Sequence, residues 1–496
     1  MSFSDIIAMA SAHIMGVPFI ILCLGTGLYF SVRTGFLQIR YLKDMVQKLF
    51  KSESSSVGIS SFQAFMLALS GRVGTGNIAG VATAIALGGP GAVFWMWVTA
   101  FFGAGTAYIE AALGQVYKSK INGHYRGGPA YYILKGLKMK TYAIAFAIVT
   151  ILSLGVLLPG VQSNAICIAF GNAFEMNYIL TAILIVFLLA LIIFGGIKRI
   201  AQVAEIVTPF MALGYMLLAI VIIAINYRNI PDMFMLIVKS ALGFYPLLGG
   251  MTGAAISMGV KRGLFSNEAG QGTAPHAAAA AHVSHPGSQG LVQAFSVYVD
   301  TLLVCSATAF IILATGMYRV YDGVGGAIVF DGGGLPAHVT EYGPIFTQLG
   351  VDKHFPGFGA AFVALALFFF AFTTIMSYYF QAETNVYFLT RNRRPRVSFW
   401  SVNALRVVML VVTYFTSINE MQLAWNMADI GIGLMAWFNI IAILLLQKPA
   451  LKTFFDYERQ RRKGIREPVF NPVELGIANA EEWEEDRTCP PPPRNG

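Results

Sequence analysis

Long apolar runs separated by short polar segments follow one another along this sequence to about residue 446. A helix needs about 20 predominantly apolar residues to cross the hydrocarbon core of a bilayer. Runs of this length predict an all-α polytopic membrane protein with eleven transmembrane helices. The predicted spans are 14–32, 60–89, 91–117, 141–173, 178–196, 200–226, 246–283, 290–316, 355–389, 398–417 and 422–446.

The composition agrees with this pattern. Hydrophobic residues make up 56% of the 496 residues, and charged residues only 12%. Soluble domains carry about 25% charged residues, and disordered chains combine low hydrophobicity with high charge. A soluble enzyme and a largely disordered chain are therefore excluded, and a lipid bilayer is the expected environment.

The positions of the basic residues test the order of the spans, because cytoplasmic loops are enriched in Lys and Arg. With the N-terminus outside, eleven spans place 26 of the 34 Lys and Arg residues in cytoplasmic segments and four in external loops. The net charge of +9 is thus explained by topology, and no nucleic-acid partner is expected. We expect an external N-terminus and a cytoplasmic C-terminal tail whose end is disordered.

Two predicted spans are interrupted near their middle by glycine and polar residues. The interruptions lie at 70–77 in the span 60–89 and at 261–268 in the span 246–283. Unwound backbone at membrane depth is tolerated only where it is buried in protein or lines a cavity. Both interruptions therefore predict the lining of a polar site.

The two interruptions share a residue pattern at a constant offset of 190 positions. Arg72 and Asn77 in the first correspond to Arg262 and Asn267 in the second. Each interruption opens a set of five spans, so the two sets have opposite orientations, an arrangement typical of transporters with a site near the midplane. The predicted units are an additional N-terminal helix with its linker (1–59), a first repeat (60–227), a second repeat (228–447) and a cytoplasmic tail (448–496).

A broken helix offers complementary chemistry at its two new ends. The resuming half-helix near Thr75, Gly76 and Asn77 presents N–H groups and a positive dipole end to a carboxylate. The preceding half, from Ser70 to Val73, presents carbonyl groups to a hard cation such as Na⁺. The interruption therefore suits a zwitterion accompanied by a cation.

Several segments carry a family resemblance. They are GGPGAVFWMWV within 71–118, RGLFSNEAGQGTAP (262–275), FAFTTIMSYYFQAETN (370–385), RGGPAYY (126–132) and the basic tail segment 456–470. Over nearly the whole chain, the sequence resembles the alanine/glycine:cation symporter family, and bacterial sodium:alanine symporters in particular.

The resemblance implies a LeuT-like fold, in which two inverted five-helix repeats follow an extra N-terminal helix. It implies Na⁺-coupled uptake of small neutral amino acids, chiefly alanine and glycine, by alternating access across the bacterial inner membrane. Na⁺ would be the coupling ion, and no cofactor is expected. The predicted substrate-binding residues are Thr75, Gly76, Asn77, Gln162, Phe265, Ser266, Asn267 and Glu268, and the predicted sodium ligands are carbonyls at Ser70 and Val73 with hydroxyls at Thr373 and Thr374.

Ionisable residues inside the spans are functional candidates. Arg72 and Arg262 are 190 residues apart, and so are Glu110 and Asp300. We expect buried ion pairs between Arg72 and Glu110 and between Arg262 and Asp300, with direct roles in substrate binding or proton transfer as the alternative. Glu268, in the second interruption, is expected either to cap the resuming half-helix or to contact the substrate ammonium group.

Other functions remain as alternatives to Na⁺-coupled symport. An ATP-driven pump is disfavoured, because the sequence has no Gly-Lys pair for a phosphate-binding loop. An enzyme is also disfavoured, because the sequence shows no nucleophile and base that would converge on a substrate. A channel is the alternative of a different class, and a proton-coupled or glutamine-preferring symporter is the alternative within transporters.

Overall fold

The computed structural model describes residues 3–50, 55, 57–245 and 249–485, which are mostly helical. The first residues of the predicted span 246–283 and the tail end 486–496 lie outside the described residues. Within the described ranges, eight helices are long and apolar enough to cross a membrane, which confirms a polytopic helical protein. They are Phe3–Arg33, Gly91–Val116, Lys140–Phe174, Gly196–Ile225, Pro286–Thr315, Gly359–Thr390, Pro395–Ser417 and Met421–Leu445.

The secondary structure is almost entirely α-helical, with short π-helical and 3₁₀ segments. In the first part of the chain, the α-helices are Phe3–Ile14, Val17–Arg33, Leu37–Arg40, Leu42–Phe50, Ser61–Arg72, Val81–Gly88, Gly91–Val116, Pro129–Tyr132, Lys140–Leu152, Pro159–Phe174, Tyr178–Ile193 and Gly196–Ile225. In the second part, they are Ile230–Ala241, Thr252–Asn267, Ala274–Ala280, Pro286–Val297, Ser306–Thr315, Pro344–Asp352, Gly359–Thr390, Pro395–Ser417, Met421–Leu445, Gln447–Arg462 and Glu481–Glu485.

The remaining regular elements are short. The π-helical segments are Gly76–Gly80, Ile133–Leu137, Ser153–Leu157 and Tyr298–Cys305, and the 3₁₀ segments are Tyr227–Asn229 and Gly249–Met251. Two antiparallel hairpins are formed by Ser119–Ile121 with His124–Arg126 and by Arg319–Tyr321 with Ile328–Asp331.

One face of the helix Gly196–Ile225 shows which solvent surrounds the protein. Ile206, Phe210, Leu213 and Leu217 are 63–74% exposed and follow one another at helical spacing. A soluble protein rarely exposes a continuous apolar face of this size. The stripe therefore faces lipid, as expected for a transmembrane helix.

The interior is built around two helices that are buried along most of their length. The helix Gly91–Val116 packs against Pro286–Val297 and Thr252–Asn267, and the helix Gly359–Thr390 packs against Pro159–Phe174 and Ser61–Arg72. Polar side chains are concentrated in this interior rather than on the lipid face. Since polar groups in hydrocarbon need partners, this placement encloses a site within the bundle.

The first broken helix consists of Ser61–Arg72, Gly76–Gly80 and Val81–Gly88. It begins with a capping box, in which the Ser60 hydroxyl accepts the Gln63 N–H at 3.1 Å and Gln63 Oε1 accepts the Ser60 N–H at 3.1 Å. The α-helix ends after Arg72, inside the predicted interruption 70–77.

The second broken helix consists of Thr252–Asn267 and Ala274–Ala280. Its break begins at Glu268, which adopts a left-handed backbone conformation with φ 55°. The expectation of a break beginning at Lys261 is thus wrong, because residues 261–267 continue the α-helix. Gly270 and Gly272, with φ 86° and 81°, provide the conformations that unwind the chain beyond it.

The described part of the C-terminal tail is packed against the helical body. Arg461 pairs with Asp44 at 2.7 Å, and the Trp483 indole N–H donates to the Gln115 carbonyl at 2.9 Å. Phe470 and Trp483 are both buried. Up to residue 485 the tail is therefore a structural part of the protein.

Candidate functional site

The first break is buried in the bundle and is stabilised by one side chain from another helix and one from its own resuming half. The Thr75 N–H donates to Gln162 Oε1 at 2.9 Å, and the Gly74 N–H donates to Asn77 Oδ1 at 2.8 Å. These bonds satisfy backbone donors that lose their helical partners at the break. A Cβ at Gly74 would overlap Thr374 Oγ1, so only glycine allows this close approach.

An oxygen-rich cluster forms where the helix Gly359–Thr390 crosses the first break. Thr374 Oγ1 lies 2.9 Å from the Ser70 carbonyl oxygen and 3.3 Å from that of Val73. It also lies 3.0 Å from the carbonyl oxygen of Phe370 in its own helix. The neighbouring Thr373 hydroxyl instead donates to Phe370 at 3.0 Å. The structure thus brings Thr374 to the predicted carbonyls, whereas the Thr373 hydroxyl bonds within its own helix.

A second group of predicted residues surrounds Thr75. Gln162 Nε2 donates to the Tyr378 hydroxyl at 3.4 Å, which joins the first break to the helix Gly359–Thr390. The Thr75 hydroxyl is fully buried and has no hydrogen-bond partner among the described residues. A buried polar atom without a partner is costly, so the Thr75 hydroxyl is a candidate contact for a bound ligand.

Gly76 lies where the two broken helices touch. A Cβ there would lie 3.0 Å from Phe265 Cδ1 and 3.1 Å from Ser266 Cα. Its lack of a side chain therefore allows the helices to approach each other. Phe265 packs in turn on the Trp425 ring, with the ring centroids 4.7 Å apart.

Glu268 is the buried acid at the start of the second break. Its side chain points toward the first broken helix, since a Cβ at Gly71 would lie 3.3 Å from Glu268 Oε2. The other carboxylate oxygen, Oε1, has no hydrogen-bond partner in the described part of the chain. Asn267, just before it, caps the break by accepting the Ala269 N–H at 3.0 Å.

Glu110 stabilises the second break from the helix Gly91–Val116. Its carboxylate accepts the Gly270 N–H at 3.3 Å, the Gly272 N–H at 3.1 Å and the Asn439 amide at 2.7 Å. This arrangement supplies acceptors to backbone donors that the unwound segment leaves without helical partners. Glu110 is thus a structural support of the break.

The expected pair between Arg262 and Asp300 is not formed. Arg262 instead pairs with Asp429 at 2.5 Å, and its guanidinium lies 4.4 Å from the centre of the Trp425 ring. Asp300 accepts hydrogen bonds from Asn77 and other neutral donors. The sequence offset alone could not predict this, because it does not show which helices face each other.

The expected pair between Arg72 and Glu110 is also replaced by other contacts. Arg72 donates to the Gln293 carbonyl at 3.0 Å and to the Ser296 hydroxyl. Its charge acts on Glu268, Glu110 and Asp300 without a direct hydrogen bond in the described residues. Arg72 therefore balances several buried acids instead of one.

Sequence reasoning missed two residues beside the site. Asp429 and Trp425 lie in the helix Met421–Leu445, the last of the long apolar helices. Asp429 carried a usable signal, because an acid inside an apolar span is a functional candidate. Trp425 carried none, since a tryptophan in such a span is usually a packing or interfacial residue.

Comparison with known proteins agrees with this architecture. Residues 1–472 match the sodium:alanine symporter family. The chain is 54% identical over 485 residues to the putative sodium/proton-dependent alanine carrier protein YrbD of Bacillus subtilis (strain 168), covering 98% of each chain. It is 48% identical over 442 residues to the sodium/proton-dependent alanine carrier protein of Bacillus sp. (strain PS3), covering 89% of this chain and 97% of that relative.

Similarity to a solved structure supports the fold. A manganese transporter of Eremococcus coleocola superposes with a TM-score of 0.54 at 12% identity, covering 88% of each chain. At that identity the similarity shows a shared fold and nothing about role or substrate. The sequence resemblance is confirmed by the family match over nearly the whole chain. The chain therefore belongs to the sodium:alanine symporter family, and it is a transporter and not an enzyme.

Proposed function

We propose that this protein is a secondary active transporter that carries alanine, and also glycine, into the bacterial cell together with Na⁺. Membership of the family and the relatives named as alanine carriers support cation-coupled alanine symport. They do not favour a channel or a glutamine-preferring symporter. The observation that carries the proposal for this chain is the Thr374 hydroxyl, which lies against two carbonyl groups of the first break.

The oxygen cluster at Thr374 has the chemistry of a sodium site. A hydroxyl carries a single hydrogen, yet three carbonyl oxygens lie within 3.3 Å of Thr374 Oγ1. Exposed carbonyls at the end of a half-helix are the ligands that Na⁺ uses in such transporters. We assign Thr374 Oγ1 and the carbonyls of Ser70 and Val73 as sodium ligands.

The substrate site lies between the two broken helices. The substrate carboxylate binds at the Thr75 hydroxyl and the start of the resuming half-helix, where the helix dipole favours negative charge. The ammonium group binds to Glu268 Oε1, and Phe265 and Trp425 enclose the side chain. Gln162 holds the break in place. All these residues are buried, and a buried site between closely packed helices suits substrates as small as alanine and glycine.

We also infer the LeuT-like architecture of two inverted five-helix repeats. The broken helices and the helix Tyr178–Ile193 add three spans to the eight long ones, which makes eleven. Eleven spans leave the N-terminus outside and the tail in the cytoplasm, where the positive charge is concentrated. We therefore assign the protein to the plasma membrane as a multi-pass transporter.

Uptake by the purified protein in liposomes tests this function. Labelled alanine is supplied with an inward Na⁺ gradient, with K⁺ in its place, or with an inward proton gradient alone. We expect accumulation only with Na⁺, and competition by unlabelled glycine. Accumulation driven by protons alone would show that H⁺, and not Na⁺, is the coupling ion. The absence of uptake by folded protein under every gradient would refute alanine as substrate.

A further inference from the structure

A buried carboxylate joins the two broken helices. Asp300, in the π-helical segment Tyr298–Cys305, has no exposed surface. It accepts the Asn77 side-chain amide at 2.7 Å and the Ser266 hydroxyl at 2.9 Å, one from each broken helix. The Thr301 hydroxyl donates to it at 2.7 Å. An ionisable group kept at this depth, together with a π-helical segment, is typical of a functional position.

The bond from Asn77 to Asp300 determines which way the Asn77 amide points. A carboxylate only accepts hydrogen bonds, so it holds the amide nitrogen of Asn77 and leaves Oδ1 on the opposite side. That oxygen accepts the Gly74 N–H at 2.8 Å. Asp300 therefore orients the Asn77 amide, and the Asn77 amide in turn orients the peptide group between Val73 and Gly74 at the centre of the first break.

The peptide groups beside Gly74 are the ones the sodium site requires. The Val73 carbonyl, directly before it, lies 3.3 Å from Thr374 Oγ1. The Thr75 N–H, directly after it, donates to Gln162. A rotation of the peptide at Gly74 would therefore turn the Val73 carbonyl away from Thr374.

We propose that Asp300 is a positioning residue for sodium binding, which acts through Asn77 on the backbone at Gly74. The inference rests on the sodium site proposed above. It assigns to Asp300 a role in setting the Na⁺ requirement of transport, without contact between Asp300 and the ion or the substrate.

The other half of the molecule provides an independent parallel. Glu110 lies 190 positions before Asp300 and supports the second break by accepting the N–H groups of Gly270 and Gly272. Glu110 belongs to the first predicted repeat and Asp300 to the second. Each half therefore supplies a buried acid to the broken helix of the other half.

An exchange of the Asn77 and Asp300 side chains tests whether Asp300 acts through Asn77. Asp300→Ala removes the carboxylate and leaves the Asn77 amide the main-chain carbonyl of residue 300 at 3.2 Å and the Cys305 sulfur at 3.3 Å. Asn77→Asp alone places two carboxylates face to face. In the double variant Asn77→Asp/Asp300→Asn, the amide at position 300 donates to the carboxylate at position 77. The second oxygen of that carboxylate still accepts the Gly74 N–H. Asp232→Ala, at an exposed acid of the helix Ile230–Ala241, is the matched control.

The readouts are the Na⁺ concentration for half-maximal alanine uptake in liposomes and the rise of the melting temperature with Na⁺ in detergent. We expect Asp300→Ala and Asn77→Asp to raise the half-maximal Na⁺ concentration about tenfold or more, because a buried bond to a charged group is lost. The exchange variant should return to within about threefold of the wild type. KM for alanine at saturating Na⁺ should change little in Asp300→Ala.

Two results would overturn the proposal that Asp300 acts through Asn77 on sodium binding. One is a folded Asp300→Ala protein with the Na⁺ dependence of the wild type. The other is an exchange variant that is folded but binds Na⁺ no better than the single variants. A purely structural role would lower the amount of folded protein and the maximal rate without changing the Na⁺ requirement. Na⁺-independent uptake by the wild type would instead refute the proposed function itself.

Discussion

Removing the Thr374 hydroxyl perturbs the proposed sodium site at the atom where two helices meet. Thr374 Oγ1 lies 2.9 Å from the Ser70 carbonyl and 3.3 Å from the Val73 carbonyl. A hydrogen-bonding contact to a charged group contributes about 1.5–3 kcal/mol, and 1.4 kcal/mol corresponds to a factor of ten. Thr374→Ala should therefore raise the half-maximal Na⁺ concentration roughly 10- to 150-fold.

The assay is alanine uptake into liposomes over a range of Na⁺ concentrations, with K⁺ keeping the ionic strength constant. Thr374→Ser keeps the hydroxyl and should retain most of the Na⁺ affinity. Thr373→Ala removes the same atoms one residue away, from a hydroxyl that donates to Phe370 in its own helix. We expect this control to leave the Na⁺ requirement within about threefold of the wild type, well below the tenfold that a lost charged contact produces.

An unchanged Na⁺ requirement in folded Thr374→Ala protein would refute Thr374 as a ligand. An equal increase in Thr373→Ala would show that the effect arises from general packing of the helix. The Na⁺-dependent rise in melting temperature provides a second measurement that needs no transport. It should be reduced in Thr374→Ala and preserved in Thr374→Ser.

Three further predictions concern buried polar groups. Arg262→Gln or Asp429→Asn alone should lower the melting temperature more than the double variant does, because each leaves a buried charge unpaired at a cost of about 3–5 kcal/mol. An additive double-mutant cycle would contradict this coupling. Glu110→Leu should lower the melting temperature more than Glu110→Gln, since it removes every acceptor from two backbone N–H groups; equal effects would show that these bonds contribute little. Burial lowers the pKa of His285 below its usual 6.5, so the unfolded chain binds a proton that the folded chain excludes, and stability falls as the pH is lowered through 6.5. Melting between pH 7.5 and 5.5 should show this fall in the wild type and a smaller one in His285→Asn, whose amide can still donate to Asp456; an equal fall would assign the pH dependence to other groups.

The membrane class, the approximate spans and the presence of two interruptions could be predicted from the sequence. These features depend on local composition, since a span is a run of apolar residues and a break is a cluster of glycine and polar residues within it. The exact start of the second break could not be predicted. Residues 261–267 include four polar residues and a glycine, yet they remain helical. The chain unwinds only from Glu268 onward, where Glu268, Gly270 and Gly272 adopt positive φ values beside Glu110.

The partners of the buried charges were beyond prediction for a different reason. Arg262 and Asp429 are far apart in sequence, and their pairing depends on how the second broken helix packs against the helix Met421–Leu445. The offset of 190 positions related Arg72 to Arg262 and Glu110 to Asp300, but it does not show which side chains within one repeat touch. Only the packing shows that Asp300 instead meets Asn77 of the other half.

The sequence by itself thus determined that this protein spans a membrane, contains two broken helices and belongs to a family of sodium-coupled transporters. Hydrophobic run length, glycine content and family motifs are all properties of contiguous segments. The tertiary structure decided which acid supports each break and which threonine lies against the exposed carbonyls. Those choices depend on the relative rotation of helices, where a shift of one residue turns a side chain by about 100° to another face.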